Sequence, residues 1–215
     1  MIRKLAIGLF LLITLAVAVV LGLALLQPND YRVERGEVVR AAPAVVHGLV
    51  NDLHRFPEWS PWQDLDPGMR VEHSGAPAGV GASYHWVGND QVGEGRMTIR
   101  SSVPDREVVM DLEFLKPFES TSELTFTFVP VRGGTRVVWA MSGSNNFMGK
   151  AMSVFMSMDR AIGRDFERGL ARLKDLAERA TAPVDTPVGT AVDTTAAPVA
   201  PAEDSTEALL DTPAH

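Results

Sequence analysis

The 215-residue chain has no cysteine. That single absence excludes disulfides, thiolate zinc sites, iron–sulfur clusters and cysteine nucleophiles together. It leaves the redox compartment open, because a chain without thiols is at home in either. Basic residues are missing from the C-terminal stretch: residues 181–215 carry six acids (Asp185, Asp193, Glu203, Asp204, Glu207, Asp211) and no Lys or Arg. Removing those six charges from the formal net charge of −7 leaves −1 for residues 1–180. No basic field is available to attract nucleic acid. Catalytic signatures are equally scarce. Gly79-Val80-Gly81 lacks the further glycine and the Lys-Ser/Thr of a phosphate loop. Met141-Ser142-Gly143 lacks the glycine two before the serine that a nucleophile elbow requires. There is no HExxH and no carboxylate cluster. His47 and His54, seven apart on one helical face, have no third ligand and are read as surface histidines. No metal and no cofactor are expected.

One long apolar run is present. From Leu5 to Leu26 the only polar side chain is Thr14. At about 1.5 Å per residue its 22 residues span about 33 Å, the hydrocarbon thickness of a bilayer. A cleaved signal has a shorter apolar region of about 7–15 residues, and Leu25-Leu26-Gln27-Pro28 is a poor cleavage site. The run is therefore read as an uncleaved anchor, residues 1–30. Arg3 and Lys4 before it point to a cytoplasmic N-terminus. The rest of the chain then lies on the outer, periplasmic side of a bacterial inner membrane. Arg32, Arg35 and Arg40 beyond the run pull the other way.

Between the anchor and the acidic tail, residues 31–180 suffice for one domain. Tyr31 to Arg40 alternates as a strand, and Ala42-Pro43 opens a short helix with Pro in its first turn. Phe56-Pro57-Glu58-Trp59-Ser60-Pro61-Trp62 then breaks that helix. Two prolines stiffen it, so its aromatics can cap a core or form one rim of a pocket. Six strands follow: Met69–Ser74, Gly81–Val87, Val92–Ser101, Arg106–Leu115, Phe118–Val129 and Thr135–Ser142. Short turns separate them, so an antiparallel meander is expected, not a parallel sheet. Val108, Met110, Leu112 and Phe114 share one face; so do Leu124, Phe126 and Phe128, and Val137, Trp139 and Met141.

That apolar face needs a cover, and Asn146 to Ala180 supplies it. Apolar residues recur at helical spacing through Ala151, Phe155, Met158, Ile162, Phe166, Gly169, Leu173 and Leu176, with charges opposite. Its first half is apolar nearly all round and rich in methionine (Met148, Met152, Met156, Met158). The expected architecture is α+β: a curved antiparallel sheet wrapped around a long C-terminal helix, behind an N-terminal transmembrane helix. Residues 181–215, rich in Pro, Ala, Thr and Asp, are expected to be disordered.

Several short sequence words carry a resemblance. They are the Phe56–Trp62 segment, Gly79-Val80-Gly81-Ala82-Ser83-Tyr84, Trp86-Val87-Gly88-Asn89, Val92-Gly93-Glu94-Gly95, Gly134-Thr135-Arg136-Val137-Val138-Trp139 and Phe166-Glu167-Arg168-Gly169-Leu170. In this order, across residues 31–180, they resemble the START-like (SRPBCC) superfamily in its polyketide cyclase/dehydrase and lipid-transport branch. The resemblance implies a helix-grip fold with a cavity between sheet and helix that holds hydrophobic small molecules.

Such a cavity would be lined by Tyr84, Trp86, Met97, Met110, Phe114, Phe126, Trp139, Met152 and Phe155. Flexible, polarisable methionine suits apolar ligands; the alternative is that these side chains simply fill the core. His85 alternates with Tyr84 and Trp86 and should point away. Glu94 and Arg96 share a strand face. They are read as solvated charges, with a buried pair orienting a ketone as the alternative. No catalytic residue is assigned. The expected function is a membrane-tethered binding or transport module for a lipid or other hydrophobic small molecule, with no nucleic-acid partner. Two alternatives stand: a cyclase- or dehydratase-like enzyme, and a structural or interaction domain at the membrane.

Overall fold

The computed structural model describes residues 2–26, 28–144, 150 and 158–182. Among those residues the order is α1 (Ile2–Leu25), β1 (Asp30–Val39), α2 (Pro43–Asn51), a 3-10 turn (Leu53–Arg55), α3 (Phe56–Trp59), β2 (Arg70–Gly75), β3 (Ala82–Val87), β4 (Glu94–Val103), β5 (Glu107–Lys116), β6 (Ser120–Val131), β7 (Gly134–Ser144) and α4 (Met158–Thr181). The strands form one seven-stranded sheet in the order β1-β7-β6-β5-β4-β3-β2. Every pairing is antiparallel. This is the expected α+β helix-grip architecture, with strand ends displaced by one or two residues.

The inner face of the sheet carries the alternation seen in the sequence. Val108, Met110 and Leu112 of β5, Leu124, Phe126 and Phe128 of β6, and Val137, Trp139 and Met141 of β7 are all buried. Helix α4 covers them with Phe166, Leu170, Leu173 and Ala177. Burying each large side chain contributes roughly 1.5–3 kcal/mol relative to leaving it in water. The tightest packing is aromatic. Trp139 stacks on Phe166 with ring centroids 4.0 Å apart and on Phe126 at 4.9 Å, while Trp59 meets both Trp139 and Phe126 edge-on. Gly169 makes this possible, because a Cβ there would stand 2.7 Å from Cζ3 of Trp139.

Ion pairs then fix the helix along β1. Arg35 donates to Asp159 and Glu167, Lys174 to Glu37, and Arg40 to Glu178. These pairs are largely solvated, so they set register more than they add stability. Arg172 ties α4 to the α3 corner through the carbonyl of Ser60 and through Asp64.

Two sequence expectations are corrected. The Phe56–Trp62 segment does not simply break the preceding helix; its first four residues form a turn of their own, α3. Trp59 is buried in the core, whereas Trp62 is only partly buried. His47 is not on the surface. Its ring is packed edge-on to Phe128 and is 9% exposed, because the inward face of α2 turns it under the sheet with Val46 and Val50. The Met-rich first half of the long helix, with Met148, Met152, Phe155 and Met156, and the acidic tail beyond Ala182 lie outside the described residues. Helix α1 is long and apolar enough to cross a membrane, although a signal sequence would have the same character. Most of its large apolar side chains from Leu5 to Leu25 stand exposed.

Candidate functional site

The inner face of the sheet can be followed row by row from the end where β1 begins. The first row is Trp86, Gly95, Phe114 and Ser120; the second is Tyr84, Met97, Leu112, Ser122, Gly143 and Tyr31. The third runs Ile99, Met110, Leu124, Met141 and Val33, and the fourth Val108, Phe126 and Trp139. A cavity of about 380 Å³ occupies the first two rows and reaches part of the third. Its walls are Trp86, Phe114, Tyr84, Met97, Leu112, Leu124, Met141 and Tyr31 from the sheet, and Ile162, Asp165 and Phe166 from α4. Phe56, Ser60, Trp62 and Met69 close one side. Gln91 and Val92 of the β3–β4 turn, and Lys116, Pro117, Phe118 and Ser120 around the β5–β6 turn, frame the rim.

Glycines shape this end. A Cβ on Gly95 would stand 2.4 Å from Cζ2 of Trp86 and 2.5 Å from the carbonyl oxygen of Glu113, so the indole occupies space that any side chain would fill. Gly93 has φ +70°, where a Cβ would also come within 2.4 Å of the Lys116 carbonyl oxygen. Only glycine lets the two rim turns approach so closely.

Of the nine candidate residues, the structure brings Tyr84, Trp86, Met97 and Phe114 to the cavity wall. Met110, Phe126 and Trp139 face the same way but are packed among their neighbours and do not line it. Met152 and Phe155 lie outside the described residues. Leu112, Leu124 and Met141, outside the expected set, also line it, although they share the alternation of Met110, Phe126 and Trp139. Nothing in strand periodicity brings loop residues such as Phe118 or Gln91 to the rim.

The polar groups at the wall are few. Tyr31 and Ser122 share a hydrogen bond of 2.8 Å, the Ser60 hydroxyl accepts from the Trp62 amide, and Asp165 accepts from Arg168 at 2.6 Å. The Trp86 indole donates to the Val92 carbonyl. Tyr84 differs from these. Its hydroxyl is buried and has no hydrogen-bond partner among the described residues, and burial pushes its pKa up to about 12. The residue lines the cavity, and its phenol is a neutral O–H at physiological pH. A buried polar group left unsatisfied costs about 1–3 kcal/mol, which a ligand oxygen would relieve.

The charges suggested by sequence lie on the outer face. Nε2 of His85 is 3.4 Å from Glu94, whose other oxygen pairs with Lys116 at 2.7 Å. Lys116, and then His85, hold the Glu94 carboxyl below its ordinary pKa. Arg96 faces Glu113 at 3.9 Å, not Glu94. Among the described residues no group of three His, Asp or Glu side chains is placed to hold a metal ion. His54 stacks on His73 at 4.0 Å and contacts only Asp52 as an acid.

Comparison with known proteins supports the architecture. The crystal structure of a Chromobacterium violaceum protein aligns with a TM-score of 0.51 at 17% identity, covering 71% of this chain and 99% of that one. The solution structure of the Aha1 dimer from Colwellia psychrerythraea aligns with a TM-score of 0.51 at 14% identity, covering 71% and 99%. The di-domain ARO/CYC StfQ from the steffimycin biosynthetic pathway aligns with a TM-score of 0.51 at 12% identity, covering 70% of this chain and 51% of its own. At these identities the likeness is one of fold. A comparison with curated proteins gives no match. The family model described as polyketide cyclase/dehydrase and lipid transport matches residues 31–178, well over half of the chain, and the chain belongs to that family.

Proposed function

We propose that the chain is a single-pass, membrane-tethered module that binds or carries a lipid or other hydrophobic small molecule. Helix α1 is its anchor, and residues 31–180 hold the ligand on the outer side of the membrane. The observation that carries this is the composition of the cavity: an apolar wall that includes, among the described residues, one side chain with a buried, unpartnered hydroxyl, Tyr84. Apolar sites with a few placed polar groups are the usual form of small-molecule pockets. Tyr84, Trp86, Met97 and Phe114 supply contact area, and the Tyr84 O–H orients an acceptor such as a carbonyl, ester or hydroxyl oxygen. Arg3 and Lys4 at the start of α1 favour a cytoplasmic N-terminus.

The test compares the full-length chain with Met97→Trp, which fills the cavity. Both are purified in the same detergent and their extracts analysed by mass spectrometry. A defined molecule near stoichiometric amount in the wild type and depleted in Met97→Trp supports the proposal. Identical extracts, together with no uptake of an apolar fluorophore by the wild type, overturn it. Orientation is read separately. The chain has no native cysteine, so Ser205→Cys in intact cells should react with a membrane-impermeant maleimide; protection until lysis would reverse the assigned topology.

A further inference from the structure

Following the strands back to their ends places the cavity mouth at one edge of the domain. β1 begins at Asp30, paired with Ser144 at the end of β7. The β5–β6 turn lies between Lys116 and Ser120, and the β3–β4 turn between Val87 and Glu94. Both belong to the end of the sheet from which β1 departs, and both frame the rim. From Leu25, the last residue of α1, to Asp30 there are five Cα steps, at most about 18 Å of chain. Strands are spaced about 4.8 Å apart, and β5 is three positions from β1. The β5–β6 turn thus sits roughly 10–15 Å across the sheet from the tether. The opposite end of β1, a strand of 10 residues, is roughly 30 Å further along.

The residue at the tip of that turn is Phe118. It lines the cavity and is 58% exposed, the one aromatic among the exposed large apolar residues described outside α1. An aromatic ring left in water beside Pro117 suits a bilayer interface, where amphipathic rings and apolar wedges bury themselves at headgroup level. Lys116 beside it is 72% exposed and paired with Glu94, so the flank brings a neutralised charge and a long apolar stem to the same plane.

We propose that the mouth of the cavity rests on the outer leaflet of the membrane that α1 spans, with Phe118 and Pro117 inserted at the interface. An amphipathic, acyl-chain-bearing molecule then moves between leaflet and cavity without crossing water. This rests on the proposal above that α1 is an anchor and that the cavity binds such molecules. It adds the source of the ligand and the residue at its entrance.

The experiment uses the full chain reconstituted into phosphatidylcholine vesicles with and without doxyl-labelled acyl chains. Phe118→Cys, or Glu119→Cys on the same turn, carries an environment-sensitive fluorophore, and Val80→Cys on the far β2–β3 hairpin carries it as the control. With insertion of the mouth to interfacial depth, doxyl quenching at 118 or 119 should exceed that at 80 by at least about twofold. Equal quenching at both ends overturns the proposal. In parallel, a pyrene-labelled fatty acid is offered either within the vesicle membrane or on a cyclodextrin carrier. Phe118→Glu should slow loading from the membrane at least about tenfold more than it slows loading from the carrier. Equal slowing of Phe118→Glu by both routes, relative to the wild type, defeats the entrance while leaving the cavity standing. A wild-type chain that loads by neither route defeats the binding function, and this proposal with it.

Discussion

The two ends of the sheet are built from the same alternating pattern and behave differently. At the far end, the fourth row places Phe126 and Trp139 between Trp59 and Phe166, and the aromatic rings fill the space between sheet and helix. At the near end, the first row has glycine at position 95, the second has glycine at 143, and Trp86 and Tyr31 lean across the vacant positions. There a cavity of about 380 Å³ lies between the sheet and α4. One end is a core in the ordinary sense, close-packed and intolerant of volume change. The other has the same apolar lining without the packing. Apolarity alone does not separate a core from a container; depth along the strand does.

The largest effect should come from the packed end. Trp139→Ala removes a ring that touches Trp59, Trp62, Phe126 and Phe166, and cavities of that size cost about 3–5 kcal/mol. Denaturant unfolding of the detergent-solubilised chain should show it; a loss below about 1 kcal/mol would mean that this end is not close-packed. Next in size is Met97→Trp at the near end. It should change stability by less than about 1.5 kcal/mol, because the added volume enters existing space. Uptake of an apolar fluorophore should fall at least about tenfold, equivalent to about 1.4 kcal/mol of binding. A well-folded Met97→Trp chain with undiminished uptake would put the ligand elsewhere.

This contrast also explains what the sequence could reveal. Period-two alternation showed which side chains of β5, β6 and β7 face inward, and it did so correctly for Met110, Phe114, Phe126 and Trp139. The turn chemistry and the amphipathic stripe from Ile162 to Leu176 were enough to define the sheet and its covering helix. What alternation does not encode is position along the strand relative to the helix above. Met110, in the third row, and Phe126 and Trp139, in the fourth, were indistinguishable by pattern from Leu112 and Met97. The rows emerge only once register is known, and the bulges between Glu94 and Gly95 and between Ile99 and Ser101 shift it. His47 departs from pattern for a related reason: a polar residue on a short helix reads as exposed, but α2 turns that position toward Phe128 and gives the ring a hydroxyl partner.

A smaller effect sharpens the near end. Tyr84→Phe removes a hydroxyl that no group among the described residues satisfies, so stability should hold or rise by up to about 1 kcal/mol. Affinity for a ligand bearing an acceptor oxygen should fall about three- to tenfold, the worth of one ordinary hydrogen bond. A hydrocarbon probe without oxygen should bind both proteins alike. If the oxygen-bearing and hydrocarbon probes respond equally to the substitution, the Tyr84 hydroxyl has no role in orientation.

The smallest expected effect belongs to the far end and is set by pH. Ser102 donates its hydroxyl hydrogen to Asn51 at 2.7 Å, so at 3.1 Å its oxygen accepts from Nε2–H of His47. The ring is held neutral. Burial lowers its pKa below the usual histidine value, and Asp105 opposes this only in part. His73 is lowered as well, by burial and then by His54. For a histidine whose folded pKa is depressed, the unfolded chain binds the proton first. Stability is therefore full above the unfolded value near 6.5 and declines as pH falls through it, levelling once the folded pKa is passed. The thermal midpoint of the wild type should drop between pH 7.5 and 5.5, and His47→Gln should drop by less. An acid shift as large in His47→Gln as in the wild type would show that the packed end does not resist protonation of His47. A rise in midpoint on acidification would reverse the sign of the argument.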